Sequence, residues 1–112
     1  MLFRSLGVSS GLLKSAGAVS RDVAEAMAVG ARSRFGSDLA VAVTGIAGPD
    51  GAGSGKPVGL TYIAVAAARG TSSHEYRFGG DRWANRREAA HNAVQLLIEE
   101  AHLGDQSRKR TA

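Results

Sequence analysis

Cysteine is absent from the 112 residues, which excludes disulfides and thiolate metal centres. That absence is compatible with a reducing, cytoplasmic setting. No apolar run reaches the roughly 18 residues that a membrane-spanning helix needs. The opening Met1–Leu6 has neither the length nor the shape of a secretory signal. Aromatic residues make up only 5% of the chain, and Trp83 is the single tryptophan. The core must therefore be aliphatic and rich in alanine. One-sided charge is also scarce. Half of the net +4 sits in the last eight residues, on Arg108, Lys109 and Arg110 against Asp105. The remainder is too small to argue for a nucleic-acid surface. Both prolines, Pro49 and Pro57, fall in one short stretch.

That stretch, Thr44 to Gly59, is what the chain has in excess. It holds a run of glycines between two apolar segments and ends near Lys56. Glycine-rich backbone comes close to a ligand, and successive bare amides form a concave anion site. The loop reads equally as the rim of a site for a small anionic or phosphorylated ligand and as a long flexible connection. Lys56 adds a mobile positive charge at its far end. Thr44 stands where a strand ends, the place at which α/β sheets put ligands.

One domain is expected from the length. Ser9 or Ser10 caps a short helix that Gly17 stops. Ser20 caps a longer one, with Val23, Met27, Ala31 and Phe35 as its buried stripe and Gly36 as its stop. Gly30 inside that helix costs about 1 kcal/mol relative to alanine. Leu39–Val43 is apolar on both faces and reads as a strand interior to the sheet, covered by helices on both sides. Val58–Ala68 and the alternating His74, Tyr76 and Phe78 read as an antiparallel hairpin about Arg69-Gly70-Thr71. Asp81 caps a last helix whose stripe is Ala90, Ala93, Val94, Leu97 and Ala101 and which Gly104 ends. Arg82, Arg86 and Arg87 crowd its start, where the helix dipole disfavours cations. They imply either a nearby anion or side chains that reach out to water. Residues 105–112 read as a disordered basic tail, leaving residues 1–104 as the domain. No histidine pair is spaced for a metal.

Several stretches together resemble the C-terminal domain of the CinA (competence-damage-inducible protein) family. They are Leu6-Gly7-Val8, Gly17-Ala18-Val19-Ser20, Thr44-Gly45-Ile46-Ala47-Gly48-Pro49-Asp50-Gly51, Lys56-Pro57-Val58-Gly59 and Phe78-Gly79-Gly80-Asp81-Arg82 with Arg86. The resemblance implies a three-layer α/β/α fold with a mixed sheet, incomplete at the N-terminus, and a homo-oligomer. It also implies nicotinamide-nucleotide amidase activity: nicotinamide mononucleotide and water give nicotinate mononucleotide and ammonia, without metal or cofactor. Thr44 would touch the substrate or the developing oxyanion through its hydroxyl or adjacent amide. Gly45, Ile46, Ala47, Gly48 and Gly51 would line the substrate, and Lys56 with Arg82 would balance its phosphate.

The family's catalytic serine, tyrosine and lysine belong to a segment upstream of the first motif. The lysine's place falls on Leu2, and the serine and tyrosine have no counterpart. The 112 residues are accordingly expected to be inactive by themselves. A non-catalytic nucleotide-binding or assembly module is the alternative. Nucleic-acid contact through the basic tail ranks below it.

Overall fold

In a computed structural model, residues 2–46 and 56–111 are described, with the side chains of 2, 4 and 105–111 excepted. The chain runs α1 (Leu2–Ser5), α2 (Ser10–Ala16), α3 (Arg21–Phe35), β1 (Leu39–Gly45), β2 (Leu60–Ala67), β3 (Gly70–Arg77) and α4 (Arg82–Thr111). The three strands form one sheet in the order β1-β2-β3, with α3 on one face and α4 over β1 and β2 on the other. This is the three-layer α/β/α arrangement.

Local chemistry explains most helix ends. Ser9 Oγ accepts from the amide of Leu12 at 3.0 Å, and Ser20 Oγ accepts from that of Val23 at 3.2 Å. Asp81 Oδ1 accepts from Ala84 N at 2.8 Å. Gly36 closes α3 in the left-handed conformation, its amide returning to the Arg32 carbonyl. Ser20 also donates to the carbonyl of Gly17 at 2.8 Å, so it ties the α2–α3 turn as well as the helix. Ser20→Ala is expected to cost about 1 kcal/mol, and somewhat more if the Gly17 carbonyl finds no water. Urea unfolding at a fixed slope measures this, and an unchanged midpoint would contradict it.

Alternation sorts the strands. Ala42, Thr44, Tyr62, Ala64 and Ala66 face α3; Val41, Val43, Ile63 and Val65 face α4. Val23, Ala24, Met27 and Ala28 of α3 bury against Ala42, Ala64, Ala66 and Val8, with Phe3, Leu6, Leu12 and Leu13 packed around them. Gly30 lets α1 seat here. A methyl group at that position would stand 1.6 Å from the Leu6 carbonyl oxygen, so glycine is what permits the approach. On the other face Ile63 and Val65 are buried beneath α4, whose most enclosed residues are Asn85 and Ala93.

Five expectations fail. The described strands are all antiparallel, not mixed. Each connection turns back beside the strand it leaves, whereas a parallel pair would need a crossover. Among the described residues, Leu39–Val43 lies at the edge of the three-stranded sheet rather than inside it. Its two apolar faces answer to two helical layers, and side chains do not encode how many neighbours a strand has in the plane. Phe35 is 74% exposed. Three steps of four residues overshoot the helical repeat by about 120°, which carries Phe35 off the face that Val23 begins. In α4, Ala93 is buried but Ala90, Val94 and Ala101 are exposed. Gly104 does not end that helix, which continues to Thr111, and a backbone there carries no left-handed turn.

Candidate active site

The site residues gather at the end of the sheet where β1 stops and β2 begins. Thr44 faces the α3 layer and is 9% exposed. Its hydroxyl donates to the carbonyl of Ala18 at 2.6 Å. The Lys56 ammonium reaches the same turn, donating to the carbonyls of Val19 and, at 3.4 Å, Ala16. Ser20 takes the remaining carbonyl, that of Gly17. Four successive carbonyls, Ala16 to Val19, are thus each held by a side chain. A helix C-terminus favours a cation, so Lys56 is well placed at the end of α2. The two ends of the glycine stretch are fixed to one turn, and Lys56 is a clamp rather than the mobile charge expected from sequence.

Backbone geometry refines the role of Thr44. Ile46 N donates to Leu60 O at 2.9 Å. Antiparallel alternation then directs the amides of Thr44, Ala42 and Ala40 to β2, and those of Gly45, Val43, Val41 and Leu39 to the open side. Thr44 has committed both its hydroxyl and its amide hydrogen. It can accept from a ligand, whereas the amide facing outward is that of Gly45. Gly45 is also tightly seated, since a side chain there would meet Thr61 Oγ1 at 2.6 Å. Ile46 is buried and closes the strand end from below. Beyond it Gly59 N donates to Ile46 O at 2.6 Å, and Phe78 N to Gly59 O at 3.0 Å, so all three strands meet here.

Arg82 follows this junction directly, but it opens α4 in the opposite layer. The structure brings Thr44, Gly45, Ile46 and Lys56 together, with Arg82 at the same sheet end across the sheet. Ala47, Gly48 and Gly51 lie outside the described residues. Arg86 stacks over the exposed Trp83 ring at 5.7 Å, which gives one of the crowded arginines an aromatic partner.

Sequence reasoning missed a polar network beside Thr44. Tyr62, its neighbour across the strands, donates to Glu75 Oε1 at 3.0 Å. Arg77 donates to the other oxygen at 3.1 Å. These two donors, the tyrosine hydroxyl first, hold the Glu75 carboxyl below its ordinary range, while partial burial and then the carboxylate push the Tyr62 hydroxyl up. Arg21 covers the Tyr62 ring and donates to Ser73, and Ser73 donates to Glu25. The hairpin turn already implies that Tyr62 and Glu75 stand opposite, so that pair was legible. The reach of Arg21 across 52 residues was not.

A groove of about 740 Å³ lies at the far end of the sheet among Arg32, Leu39, Arg69, Ile98 and Ala101. Arg69 and Glu100 spend their charges there on each other, paired at 2.5 and 2.7 Å. Among the described residues, no three histidine or acidic side chains come together to hold a metal ion. No described helix is long and apolar enough to cross a membrane.

Known proteins share this architecture. A CinA-like protein of Geobacter sulfurreducens is 56% identical over 94 residues, 84% of this chain and 23% of that protein. The solved structure of the competence/damage inducible protein CihA from Agrobacterium tumefaciens superposes with a TM-score of 0.81 at 43% identity, covering 88% of this chain and 61% of that one. A CinA superfamily protein of Escherichia coli superposes at 0.82 with 32% identity, covering 86% and 56%. The chain therefore spans about a quarter of the length of the curated relative and about three fifths of the solved chains. The family described as the CinA C-terminal domain matches residues 3–101, and the chain belongs to it.

Proposed function

We propose that this chain supplies the Thr44–Lys56 wall of a nicotinamide-nucleotide amidohydrolase site. In that reaction water replaces the carboxamide nitrogen of nicotinamide mononucleotide, releasing ammonia and leaving nicotinate mononucleotide. The observation that supports the reading is the double clamp on the α2–α3 turn, Thr44 to Ala18 and Lys56 to Ala16 and Val19. It holds both ends of a glycine-rich stretch at a strand terminus, where backbone amides can be set in advance of the charge they stabilise. Gly45 N, facing away from β2, is the donor of choice for the carboxamide oxygen, and the Thr44 hydroxyl oxygen accepts from the carboxamide nitrogen. Gly48 and Gly51 let further amides approach the nucleotide. Lys56 and Arg82 place positive charge on either side of the sheet end for its phosphate. A cytoplasmic location suits a nucleotide substrate.

The clamp equally serves a module that binds a nucleotide without hydrolysing it. Both readings need the loop. Gly48→Val adds bulk where backbone must approach the ligand and is expected to abolish binding of nicotinate mononucleotide in a calorimetric titration. Unchanged affinity would remove the loop from the site.

A further inference from the structure

We propose that Asn85 is a positioning residue of the nucleotide site, holding the turn before α4 so that Arg82 meets the phosphate. This rests on the Thr44–Lys56 reading above and extends it to the opposite layer. Among the described residues, three polar side chains are buried: Thr44, Thr61 and Asn85. All three stand at one end of the sheet. Thr44 is near the end of β1, Thr61 near the start of β2, and Asn85 in the first turn of α4. Burying a polar group is unfavourable unless a partner compensates it, so an apolar residue is the default at such places. Each of the three instead bonds the backbone of a turn. Thr44 donates to Ala18 O at 2.6 Å, Thr61 donates to Gly59 O at 3.2 Å, and Asn85 Oδ1 accepts from Gly80 N at 3.0 Å. The first holds the α2–α3 turn, the second the exit of the glycine stretch, and the third the passage from β3 into α4.

Helix capping does not account for Asn85. Asp81 already caps α4: its Oδ1 accepts from Ala84 N at 2.8 Å and its carbonyl from Asn85 N at 2.9 Å. Asn85 reaches past that cap to the residue before it. Gly80 is pressed against the helix there, since a methyl group on it would stand 2.7 Å from Ala84 Cβ and 3.3 Å from Asn85 Oδ1. Arg82 lies between these held points, so its backbone cannot shift without breaking one of them. Its side chain is exposed. On the other side of the turn, Phe78 N donates to Gly59 O at 3.0 Å, which ties the same passage to the glycine stretch. Arg82 is thereby fixed relative to the backbone that meets the rest of the nucleotide. A guanidinium fork binds a phosphate well only when its place and plane are set in advance.

A double-mutant cycle, read by calorimetric titration of the 112-residue chain with nicotinate mononucleotide, tests this. Asn85→Leu is close in size and lacks the acceptor. It is expected to weaken binding by about tenfold with unchanged far-ultraviolet dichroism. Arg82→Gln is expected to weaken it by a similar factor, and the two changes together by no more than one of them, because Asn85 acts through Arg82. A residue that only stabilises the fold would weaken binding alike in both backgrounds. Losses that add, or an Arg82→Gln chain that binds as tightly as the unaltered one, overturn the proposal. Full affinity in Asn85→Leu while Gly48→Val abolishes binding overturns this proposal alone. An unaltered chain that binds no mononucleotide overturns it together with the Thr44–Lys56 reading. Should Asn85→Leu fail to fold, the Gly80 amide resonance gives the same test. It is expected to shift saturably when the unaltered chain is titrated and to stay in place in Arg82→Gln. A Gly80 amide unmoved at saturation, or moved equally in both chains, overturns the proposal.

Discussion

Incubated with nicotinamide mononucleotide, the 112-residue chain is expected to release no ammonia above the uncatalysed background. Hydrolysis of a carboxamide needs an activated nucleophile, and Thr44, Lys56 and Ser73 are already engaged. The Thr44 hydroxyl donates to a carbonyl oxygen, so no base stands ready to take its proton. Lys56, the nearest amine, already donates to two carbonyls of the α2–α3 turn. Ser73 does give its hydroxyl to a carboxylate, Glu25, but Arg21 donates into the same oxygen at 3.0 Å and lowers its nucleophilicity. The serine, tyrosine and lysine that the family resemblance assigns to catalysis have no counterpart within these residues. Groups that act as a unit lose on the order of 10⁴- to 10⁶-fold when one member is removed. An enzyme-coupled ammonia assay reads this directly. Turnover by the bare chain that survives Thr44→Val would place the chemistry elsewhere.

Gly59→Ala is expected to be the most damaging small substitution in the described structure. Gly59 has φ of +93°, a conformation that side chains disfavour, and an added methyl would stand 1.9 Å from the Phe78 carbonyl oxygen. The two costs are separate. Backbone strain contributes about 1–3 kcal/mol. The collision must also open the Phe78 N to Gly59 O bond, whose loss adds about 1 kcal/mol or more. A total near 3 kcal/mol corresponds to a fall in Tm of roughly 12–24 °C for a domain of this size. The contrast is Gly30→Ala. Its collision falls on the Leu6 carbonyl, in the N-terminal segment, which can move away without breaking the sheet. The smaller loss expected there, partly offset by better helix propensity, separates a junction of three strands from a packing contact. A fall of only a few degrees for Gly59→Ala would show that the junction adapts.

What the sequence revealed was local chemistry. Ser9, Ser20, Asp81 and Gly36 act within three or four residues, and each ends a helix as read. The hairpin of β2 and β3 was equally legible, because its turn lies within the chain segment that pairs. What stayed hidden depends on distant partners. The four residues of α1 have too little period to be seen, and their seat is made by Gly30. The edge position of β1 is set by which strands lie beside it, while its composition reports only the layers above and below. The stripe of α4 was misjudged because alanine is spread around the helix, leaving Ala93 and Ala90 indistinguishable by type. At the site, Thr44 and its glycine neighbours announce themselves, but the destination of Lys56 is a pair of carbonyls 37 and 40 residues away. A lysine beside a glycine loop reads as a mobile charge until its partners are seen.

The nucleotide is expected to bind at the Thr44 end of the sheet, clamped on the α2–α3 turn. Amide chemical-shift mapping during a titration with nicotinate mononucleotide tests it most directly. Saturable shifts are expected at Thr44, Gly45, Ile46, the glycines that follow and Lys56, spreading to Ala18 and Val19 through the clamp, with the far end of the sheet unmoved. Shifts concentrated instead on Leu39, Arg69 and Ile98, at the far groove, would contradict it.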